Sequence, residues 1–544
     1  MNAIPQAAFE QLDAEQLRAA FFSTYKTSSE RVAAIEQLLD TPFGEKFREQ
    51  LGRWVIARLP ADELVPERYA QWRPLVQDLM LYVFLHISLP RLAPKLVEQI
   101  ELPAHTPTGT RLLKLIAKVP GLQKLGQVLA RNRHLLPQLR RSLTKLENGI
   151  SDMHVRDVHT IIVNELGPQL ARYKVKITPG IFFEASVSAV IRFTWTNPRT
   201  SKRERGVFKV LKPYIPPCFA EDMDLLAGIA KYVGSRSREY GFARRVLPET
   251  FSDVRRLLQH EVDFPREQAT LLQAARTYGP IIGVRVPHLF PELCTSQITA
   301  MTEERGKKIT TAAARLPRWK RTGICERLIE AFVAVPIFST DRNAIFHADP
   351  HAGNLLYNER SGDIAILDWA LTEKVSVEER RHLAMLVLMT TLRDSDGIFK
   401  HIQMLSRGGA RRKNTQARIV RECIAHFIAR LSFLGIPSSS DVLDLLEEIA
   451  MKGVRLPAPL IMLRKVLFTL DGVQHDLGSP DINMISIVAR HATPRWLSSW
   501  DALGKPLSLT DWLTIEKSAL GYGSRLCWQK VQSMLDAGDS NKTA

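Results

Sequence analysis

Residues 346–354 read FHADPHAGN, and they begin the stretch that decides the fold of this chain of 544 residues. Two apolar runs follow, Leu355–Tyr357 and Ile364–Leu367, with the polar segment Asn358–Asp363 between them. The tripeptide Asp368-Trp369-Ala370 comes next. Short apolar runs on either side of a polar, glycine-containing turn are typical of a β-hairpin. The stretch therefore predicts a loop, a hairpin and a second loop, with an acidic residue in each loop.

Three polar residues of this stretch have the spacing of a phosphoryl-transfer site. Asp349 and Asn354 stand five positions apart, as in the kinase catalytic loop H-R-D-L-x-x-x-N, and Asp368 stands where D-F-G would begin. Mg²⁺ prefers oxygen ligands and takes one or two carboxylates beside phosphate oxygens, so Asn354 and Asp368 are the candidate metal ligands. Asp349 is a candidate catalytic residue, which would orient the attacking oxygen or accept its proton.

A zinc site is the alternative interpretation of the two histidines in the stretch. His347 and His351 are four positions apart, and on a helix such a pair can share one metal ion. Pro350 and Gly353 argue against a helix here, because proline removes a backbone donor and glycine lowers helix propensity. We therefore favour the magnesium-nucleotide interpretation.

A kinase-like site also needs a lysine for the nucleotide phosphates and a glutamate that holds this lysine. Lys209 lies in the apolar run Val207–Leu211, like the lysine of V-A-I-K, and Glu267 lies farther along in a helical pattern. We predict that both are catalytic residues. The glycine-rich loop G-x-G-x-x-G does not occur at the expected place, where residues 183–189 read FEASVSA.

Together these motifs resemble the UbiB, or AarF-like, family of atypical kinases. The resemblance covers half of the chain, from about residue 120 to about residue 392. The motifs that carry it are K-x-G-Q at Lys124–Gln127, Ala185-Ser186 of an alanine-rich loop, E-x-D at Glu261–Asp263 and the catalytic loop His347–Asn354. It implies an α+β, two-lobed, protein-kinase-like fold with an N-terminal helical extension over the active site. It also implies ATP and Mg²⁺ as cofactors, and a link to ubiquinone biosynthesis through ATP binding or hydrolysis more than through phosphorylation of proteins.

The resemblance assigns roles to individual residues. Those that would bind the nucleotide and its metal are Ala185, Ser186, Lys209, Asn354 and Asp368. Those that would form a regulatory lid and its anchors are Lys124, Gln127, Glu261 and Asp263. A lysine held between carboxylates in a partly closed cleft would fix such a lid more firmly than an exposed ion pair does.

The sequence departs from the family pattern at two places. Glu184 puts a carboxylate beside the expected phosphates, which is unfavourable unless the side chain points away or a cation offsets it. Trp369 and Ala370 replace the usual Phe and Gly after Asp368, a change that bears on the mobility of this loop but keeps the metal-binding acid.

Two other functions stay open. A small-molecule phosphotransferase of the aminoglycoside or choline kinase type uses a similar catalytic loop, although the K-x-G-Q and E-x-D motifs argue against it. A nucleotide-gated, lipid-handling scaffold with little turnover is favoured by Glu184 and by the altered Asp368–Ala370. The choice depends on the site, because a fold by itself does not determine function.

Patterning predicts five regions: an N-terminal helical region at 1–105, a basic helical extension with K-x-G-Q at 106–154, a kinase-like N-lobe at 155–310, a kinase-like C-lobe at 311–480 and a C-terminal helical tail at 481–544. Thr27–Glu30 is predicted to be a capping box. Strands are predicted at 181–183, 187–195 and 207–211 and within 281–301, and nearly everything after Thr310 is predicted to be helical except the hairpin.

Charge indicates the kind of partner. The chain has 74 Lys and Arg against 57 Asp and Glu, a net charge of +17, which favours an acidic partner. Basic residues interleaved with leucines between Arg111 and Lys145 are typical of a face that contacts an anionic membrane surface or a nucleotide, and a solvated face on packed helices is the alternative. We predict peripheral binding to an anionic membrane surface. Nucleic acid is disfavoured as a partner, because the sequence has no recognisable reading module.

Cysteine usage and hydropathy indicate the compartment. The five cysteines are far apart and form no C-x-x-C pair, as in proteins of a reducing compartment. The first residues resemble neither a secretory signal nor a transit peptide, and no apolar run reaches the roughly 18 residues of a membrane span. We predict a cytoplasmic protein, peripheral on the inner face of the membrane, that acts with prenyl-lipid or quinone precursors.

Overall fold

The computed structural model describes most of the chain, and it divides into two compact units. The first unit comprises Met1–Phe264 and Phe290–Met301, and the second comprises Pro265–Leu289 and Thr302–Ala544. The described residues are 21–42, 44–65, 67–103, 105–124, 153–240, 246–339, 341–405, 413–431, 439–452, 456–478, 513–522 and the single positions 19, 437, 454, 487, 510, 511 and 524.

The helices have these bounds: Ser28–Leu39 (α1), Gly44–Ala57 (α2), Ala61–Leu64 (α3), Arg73–His86 (α4), Leu89–Glu101 (α5), Thr108–Ile116 (α6), Val155–Arg172 (α7), Ile215–Arg236 (α8), Val246–Val262 (α9), Phe264–Tyr278 (α10), Ile309–Ala313 (α11), Arg318–Ile329 (α12), Val335–Ile337 (α13), Val377–Thr391 (α14), Ser395–Leu405 (α15), Lys413–Arg430 (α16), Ser439–Met451 (α17) and Ala458–Asp476 (α18). Residues 120–124 are also helical. A π-helical turn, Glu330–Ala334, joins α12 to α13.

The strands have these bounds: Lys176–Ile177 (β1), Phe183–Glu184 (β2), Ser188–Thr196 (β3), Arg203–Leu211 (β4), Val284–Arg285 (β5), Ile298–Thr302 (β6), Lys307–Lys308 (β7), Asn343–His347 (β8), Leu355–Tyr357 (β9), Ile364–Ile366 (β10) and Thr372–Ser376 (β11). Three sheets result: β1-β3-β4-β6 with β2 paired to β3, then β5-β10-β9-β7, and the two-stranded β11-β8.

The N-terminal helices of the first unit share a core of their own. Leu39, Val55, Leu92 and Leu96 are buried in it, with the partly buried Trp54 packed against them. Helix α1 begins at the predicted capping box: Thr27 Oγ1 accepts from the Glu30 amide at 3.2 Å, and the Glu30 carboxylate accepts from the Thr27 amide at 3.0 Å. The capping box is therefore confirmed, and the described residues of this region are mostly helical, as the sequence predicted.

The sheet of the first unit has one face packed on helix α7 and another that carries Lys209. Ile191, Phe193 and Trp195 alternate along β3 and pack with Val158 and Ile162 of α7 in one core. Residues that pair directly across strands lie on the same face of the sheet. Lys209 of β4 pairs with Val190 of β3, and Val190 lies between Ala189 and Ile191, which face α7. The alternation expected of a half-covered antiparallel sheet thus places Lys209 on the face opposite α7.

The predicted hairpin supplies the two middle strands of the four-stranded sheet in the second unit. Strands β9 and β10 pair antiparallel, with Leu355 opposite Ile366 and Tyr357 opposite Ile364. The turn between them closes where the Asn358 amide donates to the Asp363 carbonyl at 2.9 Å. This hairpin was predicted from sequence at nearly the same residues and is confirmed.

One part of the sequence prediction is wrong in this unit. Strands β8 and β11 flank the hairpin and pair antiparallel, with His347 opposite Thr372, where the sequence predicted no strands besides the hairpin. Strand β11 reads TEKVS, whose adjacent charged residues, the half-buried Glu373 and the exposed Lys374, obscure the alternation of a strand. The two strands pair across more than twenty residues, and local patterning does not report such a pairing.

None of the helices in the described part of the chain is both long enough and apolar enough to cross a membrane.

Candidate active site

The first acidic loop follows directly from strand β8. The pairing of β8 with β11 is continued by the Ala348 amide, which donates to the Leu371 carbonyl at 2.9 Å. This contact places Asp349 just beyond the strand end, and its side chain is only 4% exposed. His351 Nε2 lies 3.9 Å from an Asp349 carboxylate oxygen. The carboxylate predicted to be catalytic is therefore held at a fixed place in a largely dry environment.

Asn354 connects the first loop to the second. Its side-chain nitrogen donates to the Asp349 carbonyl at 3.2 Å, and its own carbonyl accepts from the Leu367 amide at 2.8 Å. The amide nitrogen is used in the bond to Asp349, and the amide oxygen is the acceptor atom of this side chain. The spacing of five residues thus has a structural cause, since it lets the loop close on itself.

Asp368 begins the second loop with an unusual backbone conformation. Its φ angle is +53°, in the left-handed region that non-glycine residues enter at a cost of about 1 kcal/mol. The Ala370 amide lies 3.4 Å from Asp368 Oδ1, an Asx-type contact that favours this conformation. Aspartate is among the residues that tolerate the left-handed region best, so the acid suits the turn as well as a metal.

His347 joins the two loops. The imidazole is fully buried, with Nε2 2.9 Å from the Asp368 carbonyl and 3.2 Å from the Leu367 carbonyl. The Asp349 amide donates to Nδ1 at 3.3 Å. Burial lowers the pKa of His347 below its usual range, although the Leu367 carbonyl and the two aspartates oppose this. The histidine is therefore a neutral brace between the loops.

The arrangement that a shared zinc ion would need does not form at these histidines. His347 ends a β-strand, and His351 precedes the short 3-10 turn Ala352–Asn354, where its Nδ1 accepts from the Gly353 amide at 3.0 Å. Across the described ranges, no group of three or more His, Cys, Asp and Glu side chains is gathered around a common point.

Trp369 is a core residue, and this accounts for its place after Asp368. The indole is 1% exposed, and its Nε1 donates to the Ile366 carbonyl at 3.1 Å. Its ring packs against Tyr278 at 5.1 Å and edge-on against His347 at 4.9 Å. Burial raises the pKa of Tyr278. The departure from Phe-Gly therefore anchors the second loop in the core.

Helix α10, which carries Glu267, is fastened to the second loop. The Arg266 guanidinium donates to the Ala370 carbonyl at 3.3 Å and to the Thr372 carbonyl at 3.1 Å. Tyr278 at the other end of the helix packs on Trp369. Glu267 itself is 3% exposed. From Pro265 onward, the helix with the predicted lysine-holding glutamate thus belongs to the second unit and is fixed to the residues that follow Asp368.

Lys209 lies in the first unit with its side chain largely buried. It is 8% exposed, and its ammonium nitrogen is 5.5 Å from the centre of the Phe264 ring. A lysine is seldom so buried unless an anionic or aromatic group stabilises its charge. The pairing of Lys209 with Glu267 stays a prediction.

The loop in the place of the glycine-rich motif is a tight turn. The Ala185 amide donates to the Ser188 carbonyl at 2.8 Å, which closes the turn between β2 and β3. The Ser186 hydroxyl lies 3.5 Å from an oxygen of Glu261. Ala185 and Ser186 are thus presented at a strand turn, the position expected of a phosphate-covering loop.

Glu184 is offset by a lysine that the sequence prediction did not identify. Lys212 Nζ lies 3.4 Å from Glu184 Oε2, and the two side chains are 0% and 7% exposed. Of the two conditions stated for Glu184, the structure thus meets the one that calls for a cation. Lys212 follows directly after the buried strand β4, three residues after Lys209. This second lysine was the signal in the sequence that could have identified a cation for Glu184.

The K-x-G-Q lysine meets the E-x-D glutamate. Lys124 Nζ forms a buried ion pair with a carboxylate oxygen of Glu261, and the two side chains are 6% and 9% exposed. Ser186 contacts the other oxygen of the same carboxylate. Asp263, the second predicted anchor, is exposed, and Gln127 lies outside the described residues. Three of the motifs that carried the resemblance therefore converge on Glu261.

The basic stretch is only partly a surface feature. Arg111 is 2% exposed and donates to the Gln99 carbonyl at 3.3 Å, and Lys124 is buried as described above. Lys114 is paired with Glu98 at 3.0 Å, and Lys118 is exposed. The remaining basic residues of the stretch lie outside the described residues: Arg131, Arg133, Arg140, Arg141 and Lys145.

Comparison with known proteins agrees with this geometry. Residues 145–402 match the family model described as the ABC1 atypical kinase-like domain. This part of the chain is similar to ABC1 atypical kinase-like domains. Its range includes both acidic loops, Lys209 and Glu267, whereas Lys124 lies before it. The kinase-like α+β fold predicted from sequence is confirmed.

Relatives extend the similarity beyond the ABC1 domain. A probable protein kinase UbiB of Pseudomonas putida is 25% identical over 403 residues, 73% of this chain and 72% of the relative. A probable protein kinase UbiB of Actinobacillus pleuropneumoniae is 27% identical over 289 residues, 51% of each chain. A solved complex of Rv3197 with erythromycin from Mycobacterium tuberculosis is 16% identical, with a TM-score of 0.45 over 68% of this chain and 91% of that one. The predicted resemblance to the UbiB family is confirmed.

Proposed function

We propose that this protein binds Mg-ATP and acts as an atypical kinase or ATPase. The observation that carries the proposal is the arrangement of the two acidic loops. Asp349 and Asn354 in one loop and Asp368 in the other are held by His347 and by the hydrogen bond from Leu367 to Asn354. Two carboxylates and an amide on rigid loops suit phosphoryl transfer, which depends on positioning and charge stabilisation.

Each residue has a role in this proposal. Asn354 and Asp368 bind Mg²⁺, which takes only one or two carboxylates and completes its shell with phosphate oxygens and water. Asp349 orients the acceptor oxygen or takes its proton. Lys209, held by Glu267, contacts the nucleotide phosphates, with Ala185 and Ser186 in the loop that covers them. Oxygen donors are what Mg²⁺ requires, so the residues present fit the metal.

The structure also bears on the role of Glu184. A bare carboxylate beside the phosphates would repel the nucleotide, but its ion pair with Lys212 removes most of that charge. Glu184 therefore no longer favours the candidate scaffold with little ATP turnover.

A second candidate function keeps the support of one observation. The burial of Trp369 and its hydrogen bond to Ile366 immobilise the loop that carries Asp368. An immobile metal-binding loop would suit a nucleotide-gated, lipid-handling scaffold that turns over ATP slowly. A measured rate of ATP hydrolysis separates this candidate from the kinase and from a small-molecule phosphotransferase.

The family resemblance supports a place in prenyl-lipid metabolism, with ubiquinone biosynthesis as the proposed process. The protein would act from the cytoplasm, peripherally on an anionic membrane face, on prenyl-lipid or quinone precursors. Each exposed basic residue near such a surface contributes about 1 kcal/mol at low salt. Cosedimentation with anionic vesicles, lost at high salt or after charge reversal at Arg133, Arg140 and Arg141, would support this part of the proposal.

Thermal melts of the full chain with and without Mg-ATP test nucleotide binding. Nucleotide at about 100 times its dissociation constant should add about 2.7 kcal/mol to stability. Asp368→Asn and Lys209→Ala should each lose most of this gain, because each removes a charge that faces the metal or the phosphates. Matched controls are Asp363→Asn in the hairpin turn and Lys202→Ala at an exposed position. Equal nucleotide shifts in all five proteins would overturn the proposed site.

A second measurement defines the activity. ATP hydrolysis should be followed with and without anionic liposomes and a quinone-like headgroup analogue. Hydrolysis that rises with both additions supports the prenyl-lipid role, and nucleotide binding without hydrolysis supports the scaffold.

A further inference from the structure

A buried carboxylate of helix α8 holds the backbone of the segment that ends in Lys124. Asp222 is fully buried, and its Oδ2 accepts from the Gly121 amide at 2.8 Å. A Cβ atom at position 121 would lie 3.2 Å from the Leu226 side chain and 3.5 Å from Asp222 Oδ2. Glycine thus permits the close approach of this backbone to α8.

The carboxylate is paired with an arginine from the N-terminal helices. Arg91 Nη2 of helix α5 lies 2.7 Å from Asp222 Oδ1, and Nη1 lies 3.1 Å from Glu221 Oε2. Glu221 in turn accepts from the Ser88 amide at 2.6 Å and from the Ser88 hydroxyl at 2.9 Å. Burial raises the pKa of Asp222, and Arg91 and the Gly121 amide oppose this rise.

Helix α5 also holds the linker between α6 and residues 120–124. Lys118 in this linker has a φ of +55°, so the chain turns sharply here. Arg91 Nη2 reaches the Lys118 carbonyl at 3.4 Å, and Lys95 Nζ donates to the Ala117 carbonyl and lies 3.4 Å from the Lys114 carbonyl. Three contacts from helix α5, to the carbonyls of Lys114, Ala117 and Lys118, therefore fix the path that leads to Lys124.

A buried carboxylate costs several kcal/mol unless its partners compensate, so this network is an expensive way to gain stability alone. Its geometry matches a positioning task. Gly121 is held on α8, and Lys124, one helical turn farther on, is held on Glu261. Both contacts are buried and join the same short helical segment to different helices of the first unit.

We infer that Asp222 and Arg91 form a clamp that positions Lys124 on Glu261, so that the N-terminal helices regulate the K-x-G-Q segment. Both are positioning residues: Asp222 holds the backbone at Gly121, and Arg91 holds Asp222. The family model begins only at residue 145, so the clamp ties the ABC1 domain to helices outside its range. The placement of the segment stands without the proposed function, whereas its effect on the nucleotide rests on that function.

Amide hydrogen exchange of the nucleotide-free, full-length protein tests the placement. Asp222→Ala removes both contacts, Asp222→Asn keeps an acceptor for the Gly121 amide, and Arg91→Gln removes the charge partner of Asp222 together with the guanidinium contacts to Glu221 and the Lys118 carbonyl. Exchange between Gly121 and Lys124 should rise about tenfold or more in Asp222→Ala and less in the other two variants, because local opening becomes easier. Glu98→Gln, which breaks the half-exposed pair with Lys114, serves as the control and should leave this exchange unchanged.

A nucleotide-affinity cycle separates positioning from simple stability. If the wild type binds Mg-ATP, Asp222→Asn and Lys124→Ala should each change the dissociation constant, and the double variant should match Lys124→Ala alone. The loss in melting temperature from Asp222→Asn should be the same in both backgrounds. A purely structural Asp222 would instead give additive effects on affinity.

The outcomes are distinct. Unchanged exchange at 121–124 in both Asp222→Asn and Arg91→Gln, or exchange that rises equally throughout the first unit, would overturn the clamp. Should Asp222→Ala fail to fold, these two milder variants decide the question. A wild type without Mg-ATP binding would overturn the proposed function, and the exchange data would still decide the clamp.

Discussion

Lys212 and Glu184 form a buried ion pair, with 3.4 Å between Nζ and Oε2, at the strand that precedes the loop Ala185–Ser188. Replacing Lys212 by Met leaves the carboxylate without this cation. Removal of one partner of a buried pair typically costs about 3–5 kcal/mol, so we expect a loss of that size in denaturant unfolding. The double variant Lys212→Met, Glu184→Gln should recover much of it.

The control for this pair is Lys114→Met, whose partner Glu98 is 39% exposed. Exposed pairs contribute at most about 1 kcal/mol, so this variant should unfold close to the wild type. Equal losses in the free energy of unfolding of Lys212→Met and Lys114→Met would show that the buried pair stabilises the fold no more than the exposed pair does.

Lys124→Ala should release the K-x-G-Q segment from Glu261. We expect a changed nucleotide affinity or ATP turnover and faster amide exchange at Gln123 and Lys124, since the ion pair with Glu261 is buried. Lys118→Ala, at an exposed position, should change neither. Kinetics and exchange that do not differ between the two variants would remove the gating role proposed for Lys124.

Trp369→Phe should loosen the second acidic loop. The smaller ring leaves space beside Tyr278 and His347, and the Ile366 carbonyl loses its donor. Together these changes should cost about 1–3 kcal/mol, and exchange should rise around Asp368. Trp319→Phe is the control, because that indole is 71% exposed and the change there should stay within about 0.5 kcal/mol. Equal stability of the two variants would contradict the anchoring role of Trp369.

His401 should make the protein less stable in acid. Burial, together with the nearby His382 and Lys400, lowers the pKa of His401 from 6.5 to about 4, and its Nδ1 lies 3.1 Å from Nδ1 of His382. Between these two pKa values the unfolded chain binds a proton that the folded chain does not, so the free energy of unfolding falls as the pH falls. The full effect is on the order of 3 kcal/mol.

Urea unfolding between pH 7 and pH 4 measures this effect. His401→Gln should flatten the profile, whereas His105→Gln, at an exposed position, should keep it. A profile that stays as steep in His401→Gln as in the wild type would assign the acid sensitivity to other groups.

Local patterns predicted those parts of the fold that depend on neighbours in sequence. The capping box at Thr27 and the hairpin Leu355–Ile366 both depend on a few adjacent residues, and both were predicted. Strands β8 and β11 depend on each other across the hairpin, and the charged residues of β11 obscure its period. The missed sheet thus reflects a long-range pairing that short windows do not contain.

The site shows the same division. The spacing of Asp349, Asn354 and Asp368 could be read from one stretch, because the loop and the hairpin close locally. The contact of Lys124 with Glu261 joins residues 137 positions apart, and only a family resemblance suggested it. Asp222 and Lys212 were not identified, because a buried charge has no periodic signature until its partner is known.

The partners of His347 determine where its single proton lies. The Asp349 amide donates to Nδ1, so Nδ1 carries no hydrogen, and Nε2 holds the hydrogen that faces the carbonyls of Leu367 and Asp368. A second proton on Nδ1 would displace the Asp349 amide and separate the loops. The imidazole of His347 therefore has no vacant lone pair for a metal or a substrate hydroxyl, so it is not itself a candidate general base, and the proposal above keeps that role for Asp349.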